Sequence, residues 1–393
     1  MILSRMDMVN DIEDERVSQV IDECIIEYKG EGNINLKDKI HMKTELFNSL
    51  RRLDILSELL DDQEITEIMI NGCNNIFVEK NGFLYRIEQS FESVERLKSI
   101  IQQIVAGCNR IVNESNPIVD ARLSDGSRVN VVLPPVVLNG PTMTIRKFPK
   151  KPMTMERLIS YGAINSDTAD FLRKLVIAGY NIFVSGGTGA GKTSFLNALS
   201  AYIPGDERVI TIEDSAELQL EGINNLVRME AKNANIEGSN AISIRELIKT
   251  SLRMRPDRII VGEVRDSAAI DMLTAMNTGH DGSLSTGHAN SSQDMLSRLE
   301  TMVLMGMDIP LSAIRQQIAS AVDIIIHLGR LRDRSRKVLE ISEVSGIENN
   351  QIKLHKLYEF VEQEGSSSRV EGNLEKTGEL INTHKLRAAG LKG

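Results

Sequence analysis

The chain has 393 residues, enough for two or three domains of ordinary size. Hydrophobic residues make up 41 % and charged residues 26 %, the balance of a globular protein that can bury a core without staples. The formal net charge of −9 opposes non-specific binding to nucleic acid. No stretch approaches the ~18 apolar residues of a membrane helix. The opening MILSRMDMVNDIEDE lacks the apolar run of a secretory signal. These features predict a cytosolic protein that reaches any membrane through a partner. Cys24, Cys73 and Cys108 are far apart and never form CxxC, which predicts reduced thiols and no zinc site.

Residues 11–62 read as helices. Val17, Val20, Ile21, Cys24 and Tyr28 recur at helical spacing, with Gly30 as a stop. A second amphipathic run covers Leu46, Leu50, Leu53, Ile55, Leu56 and Leu59. From Ile65 the texture changes. Short β-like runs at 67–71 and 75–79 precede Lys80-Asn81-Gly82, a hairpin turn signal, because Asn-Gly tolerates positive φ. Residues 91–106 return to helix, 121–134 read as a hairpin turning at Ser124-Asp125-Gly126, and 141–148 as a further strand. The mixture predicts an α+β domain over 63–147. KFPKKPMT, with two prolines and three lysines, begins a linker over 148–156.

Beyond it α and β alternate. Residues 168–178 form a helix with Phe171, Leu172, Leu175 and Val176 on one face, and 181–185 a buried strand. A helix starts near Lys192, strands lie at 208–212 and 258–261, and a helix over 244–255 stops at Pro256. Such alternation implies a mainly parallel sheet covered on both faces, an α/β domain over 157–393. The last fifty residues read as polar turns, with a flexible loop over 364–368.

The sequence NIFVSGGTGAGKTSFLNAL contains GxxxxGK[ST] between an apolar strand and a helix, the context that a phosphate-binding loop requires. A chance match in such a chain has a probability of about one or two per cent before that context is imposed. Gly186, Gly187, Gly189 and Gly191 let the backbone, with Thr188 and Ala190, turn its amides onto phosphate oxygens. The helix that continues through Ser194 adds its positive end. Lys192 supplies a cation to the β- and γ-phosphates of ATP, and the Thr193 hydroxyl can ligate Mg²⁺. Such a loop needs acids near the metal. Strand 209–212 runs into Glu213 and Asp214 with Glu217 following, and strand 259–261 runs into Gly262 and Glu263. Acids at carboxyl ends of parallel strands face the ligand. The stretch TGHDGSLSTGHANS sets His280 and His288 among small residues, which suits a phosphate-sensing loop.

Taken in order, GGTGAGKT, ITIEDSAEL, RIIVGEVRD and TGHDGSLSTGHANS resemble the motifs of the secretion ATPase superfamily, the motors of type II and type IV secretion and of type IV pili. The segments ARLSDGSRVNVVLPP and TIRKF are most similar to the branch of the tight-adherence (Tad/Flp) pilus motors, the CpaF-like proteins. The resemblance covers about residues 50–345. It implies a hexamer in which a PAS-like α+β domain, behind an N-terminal helical segment over 1–62, precedes a RecA-like P-loop ATPase domain with a C-terminal extension. It matches Lys192 and Thr193 to the nucleotide and Mg²⁺ contacts, Glu217 to the acid that activates water, and Glu263 to the Walker B acid. His288, and with it His280, matches the histidine box, while Arg122, Arg128 and Arg146 match arginines that reach nucleotide phosphates. The tetracysteine zinc module of many type II and pilus ATPases has no counterpart here.

These observations predict an ATPase that drives pilus assembly or protein secretion through an inner-membrane platform protein. A DNA-handling RecA-like motor is disfavoured by the charge and by aromatics of only 4 %. A non-catalytic nucleotide switch is disfavoured by the joint presence of Lys192, Glu217 and Glu263.

Overall fold

A computed structural model describes residues 14–27, 35–80, 82–149, 151–232, 241–363 and 369–391. The chain divides into two units, Met1–Lys150 and Lys151–Gly393, and the division falls inside the stretch read as a linker.

The first unit opens with a helical pair, α1 (Asp14–Glu27) and α2 (Leu36–Arg51). Val17, Ile21 and Ile25, at helical spacing, pack against Met42, Leu46 and Phe47. Gly30 lies outside the described residues. The second apolar run is two helices rather than one, because Asp54 takes φ 57° and caps α3 (Ile55–Asp61) through the Ile55 amide. Strands β1 (Ile65–Asn71), β2 (Ile76–Lys80) and β3 (Phe83–Arg86) precede α4 (Val94–Gly107), and β4 (Ile118–Arg122), β5 (Arg128–Val132) and β6 (Thr142–Arg146) follow it. They form an antiparallel sheet in the order β3-β2-β1-β6-β5-β4. Alternate residues such as Ile68, Ile70, Val129, Val131, Met143 and Ile145 face a core shared with α3 and α4. The β4–β5 hairpin turns where Gly126 takes φ 91°.

The second unit begins with α5 (Met155–Ser160), which starts within the expected linker, and α6 (Ser166–Ile177). Strand β7 (Ile182–Gly186) leads into α7 (Lys192–Ser200), followed by β8 (Arg208–Glu213), β9 (Asn225–Glu230), α8 (Ile244–Ser251) and β10 (Arg258–Val261). Next come α9 (Ala268–Asn277), β11 (Leu284–His288), α10 (Ser292–Leu304), α11 (Leu311–Ala321) and β12 (Ile324–Arg330). The chain closes with β13 (Arg336–Glu348), β14 (Gln351–Glu362), β15 (Gly372–Lys376) and α12 (His384–Ala388). The nine strands lie in the order β15-β14-β13-β12-β7-β11-β10-β8-β9. From β12 to β9 all pairings are parallel.

Both faces of this parallel part are covered, so its strands read as unbroken apolar runs. On β7, Ile182 and Val184 enter one core with Leu172, Leu175 and Phe195, while Phe183 enters the other with Met272, Leu273 and Ile318. The expectation of polar turns in the last fifty residues is overturned, since β13, β14 and β15 extend the sheet antiparallel. Charged residues such as Glu340, Lys356 and Glu359 stand on these strands and hid the alternation. Residues 364–368, read as a loop, lie outside the described residues. The histidine-rich stretch is not all loop either: its second half is the interior strand β11.

Beside the phosphate loop, Ser185 Oγ lies 2.9 Å from Nδ1 of His327, its register partner on β12. His327 is 8 % exposed, and burial lowers its pKa below 6.5, with Glu340 and Asp294 offsetting only in part. The unfolded chain therefore binds a proton more readily than the folded one, and stability falls as pH drops below about 6.5. Each tenfold difference in proton affinity is worth about 1.4 kcal/mol. Acidification from pH 7 to 5.5 should lower the thermal midpoint of the wild type more than that of His327→Gln. Equal acid sensitivity of the two proteins in thermal melts would refute the assignment.

Candidate nucleotide site

The phosphate loop leaves the carboxyl end of β7, whose five residues are all buried. A Cβ on Gly186 would stand 2.6 Å from the Leu328 carbonyl of β12, so only glycine lets the loop depart this close to the sheet. Gly191 takes φ 91° and ψ 22° as the N-cap of α7, and no side chain caps it. The first amides of α7 are thus left to an anion, with the helix dipole behind them. Lys192 is 7 % exposed, and its Nζ donates to the Gly187 carbonyl at 3.0 Å, reaching back across the loop.

The neighbouring strands deliver the other groups. The order β7-β11-β10-β8 puts His288, the last residue of β11, between the phosphate loop and Glu263, just past β10. Lys192 Nζ lies 3.3 Å from His288 Nδ1, and His288 Nε2 lies 3.3 Å from Glu263 Oε1. Burial, then the Lys192 charge, hold the imidazole below its ordinary pKa, with Glu263 opposing. It is therefore neutral at pH 7. Burial disfavours ionised Glu263, but the hydrogen bond and charge of Arg265, with His288 and Lys192 beyond, keep its pKa below the ordinary value. Arg265 Nη2 donates to Glu263 Oε2 at 2.9 Å, and its Nε lies 2.8 Å from Oε1. That Oε1 is buried and, despite the short ionic distance, accepts no aligned hydrogen bond.

Of the acids at the end of β8, Glu213, its last residue, turns inward. It is 3 % exposed, and its Oε2 accepts from the Glu217 and Leu218 amides at 2.8 and 3.0 Å. Glu213 thus shapes the following loop, while Asp214 is exposed and Glu217 half-buried. His280 stands before the amino end of β11, where its Nδ1 lies 2.9 Å from the Pro256 carbonyl. The chain direction of β11 separates it from His288 and the phosphate loop.

In the first unit, β-pairing places Arg122 opposite Arg128 and Arg128 opposite Arg146, with Glu67 next in the row. Like charges directly opposite on a sheet are unfavourable, and Glu67 opposite Arg146 offsets part of that cost. Arg122 also lies over the Phe148 ring, 6.0 Å from its centroid.

The candidate arginines that the sequence offers all lie in the first unit, yet the second unit also sets one against the phosphate loop. Arg336 opens β13, and its Nε donates to the Gly189 carbonyl at 2.8 Å. The side chain also passes 3.4 Å from where a Cβ on Gly191 would stand. Its 147-residue separation from Gly189 left no local signal.

The chain has relatives among known proteins. A putative conjugal transfer protein of Mycobacterium tuberculosis is 33 % identical over 312 residues, 76 % of this chain and 88 % of that one. The type IV secretion system protein PtlH of Bordetella pertussis is 32 % identical over 315 residues, 74 % of this chain and 93 % of that one. The crystallographic ATPase DotB of Legionella pneumophila superposes with a TM-score of 0.52 at 20 % identity, covering 74 % of this chain and 80 % of its own. The pilus retraction motor PilT with bound ADP gives a TM-score of 0.51 at 16 % identity, covering 86 % and 87 %. These two share the fold, α/β with a RecA-like P-loop unit. Residues 50–378 match the family described as type II/IV secretion system protein, and with its phosphate loop, strand-end acids and histidine in place the chain belongs to that family.

Proposed function

We propose that the chain hydrolyses ATP and couples the reaction to secretion or pilus assembly. The observation that carries this reading is the line Lys192–His288–Glu263, which joins the phosphate loop to a strand-end carboxylate at 3.3 Å steps. The amides of 186–193 and Lys192 bind the phosphates, and Ser194 continues the helix behind them. Among the described residues no cluster of three or more His, Cys, Asp or Glu could hold a metal alone, so Mg²⁺ would arrive on the nucleotide. The donors fit a hard cation: the Thr193 hydroxyl and the buried, unbonded Oε1 of Glu263. When bound, Mg²⁺ neutralises charge on the β- and γ-phosphate oxygens. The oxygen of a water forms a bond to the γ-phosphorus as the bridging P–O bond to ADP breaks. Glu217 takes the water's proton, and ADP and phosphate leave.

The coupled work follows from kinship. Relatives named for conjugal transfer and type IV secretion support substrate export as well as they support a Tad/Flp-type pilus. In both readings the chain is a hexamer at the cytoplasmic face of the inner membrane. It pushes on a platform protein through cycles of closure by its PAS-like N-terminal domain, and it binds no nucleic acid directly. No described helix is long and apolar enough to cross a membrane, so the platform supplies the span.

In the wild type, ATP turnover should require Mg²⁺. Lys192→Ala should lose tight ATP binding, and Glu263→Gln should bind ATP but turn over at least ~10²-fold more slowly. Phosphate release at the wild-type rate in Glu263→Gln would show that another acid does this work. Arg336→Ala should weaken ADP binding about 10-fold, the value of one charge-assisted hydrogen bond, and an unchanged dissociation constant by titration would exclude Arg336 from the site. Specific activity should rise with protein concentration as rings assemble. Arg146→Ala or Arg128→Ala should cut turnover by up to ~10³ while ATP binding changes little. Constant activity at concentrations where sizing shows only monomer would overturn the assembly requirement, and unchanged turnover in Arg122, Arg128 and Arg146 variants alike would remove the arginine row from catalysis.

A further inference from the structure

One cation of the second unit has no part in the reaction described so far. Arg265 follows the strand-end acid by two residues, and its side chain is 58 % exposed. Its Nη2 donates to Glu263 Oε2 and its Nε lies close to Oε1, while its Nη1 lies 3.6 Å from Asp214 and the Glu217 charge also acts on it. One guanidinium thus answers three acids. It also lines a cavity of about 630 Å³ together with Gly187, Thr188 and His288, so it stands at the mouth of the phosphate loop.

We infer that Arg265 is a γ-phosphate contact acting within one chain, released from Glu263 when the carboxylate turns to bound Mg²⁺–ATP. This rests on the ATPase reading above. Arg265 Nε stands 2.8 Å from Oε1, the oxygen offered to the metal, and a guanidinium and a divalent cation repel each other at one oxygen, so the two part when Mg²⁺–nucleotide binds. The guanidinium then loses its nearest anion. The terminal phosphate held beside Gly187 and Thr188 is the densest negative charge that enters the cavity, and it presents oxygens that match the arginine fork. Asp214 remains as a second hold on the same guanidinium. A merely structural ion pair at this exposure contributes little and would not distinguish ATP from ADP.

The test compares affinities of the full-length protein for ADP and for ATPγS, each with Mg²⁺, by calorimetric titration. The wild type should prefer ATPγS. Arg265→Gln should lose about 10- to 100-fold of that preference while ADP affinity stays within about threefold, as expected for one lost charge-assisted contact to the terminal phosphate. Arg265→Lys should recover part of it. Retained ADP binding in the glutamine variant reports an intact site without any appeal to turnover. An unchanged preference in Arg265→Gln, a wild type with no preference, or an equal loss for both nucleotides in the glutamine and lysine variants would overturn the inference. A wild type that prefers ATPγS but never releases phosphate would defeat the ATPase reading and leave this contact standing.

Discussion

Strands β7, β11, β10 and β8 run parallel and side by side, so their carboxyl ends meet along one edge of the larger sheet. That order decides nearly everything about the site. It sets a phosphate loop, a histidine, a carboxylate and a loop-shaping glutamate in a row, although up to 96 residues of chain separate contacting members. The order holds because each strand is buried on both faces by apolar side chains that alternate between two cores. A shift of one residue along any of them would exchange the two cores and pull its end group out of the row.

Within this row charge is balanced by neighbours rather than by solvent. Lys192 and Glu263 flank a neutral imidazole, and Arg265 closes the far side of the carboxylate. Glu263 and Arg265 favour each other's charged form, while burial and the Lys192 charge outweigh Glu263 and keep His288 from protonating. Arg265, just past β10, and Arg336, at the start of β13, are exposed arginines beside the loop, so the second unit sets more positive charge around it than the loop's single lysine.

The first unit follows a different logic. Its antiparallel sheet covers one core with α3 and α4 and turns polar residues outward. The arginine row across β4, β5 and β6 is a local cost to that sheet, offset in part by Glu67 opposite Arg146 on β1.

Local chemistry alone determined the phosphate loop, since four glycines, a lysine and a threonine within eight residues dictate its shape whatever surrounds it. It also determined the parallel strands, because burial on both faces leaves an uninterrupted apolar record. Helix breaks such as Asp54 and the strands β13 to β15 were not legible, as a single positive φ and a solvated sheet face leave little trace in composition. Which acid faces inward could not be read from ITIEDSAEL. Glu213 and Glu217 are both strand-end glutamates there, and only the fold of the loop onto its own amides buries the first and leaves the second half-buried. Likewise His280 and His288 share one glycine-rich stretch, but a strand of five residues runs up to the second. Tertiary structure decided their fates, because strand direction and strand order are properties of the whole sheet and no short segment encodes them.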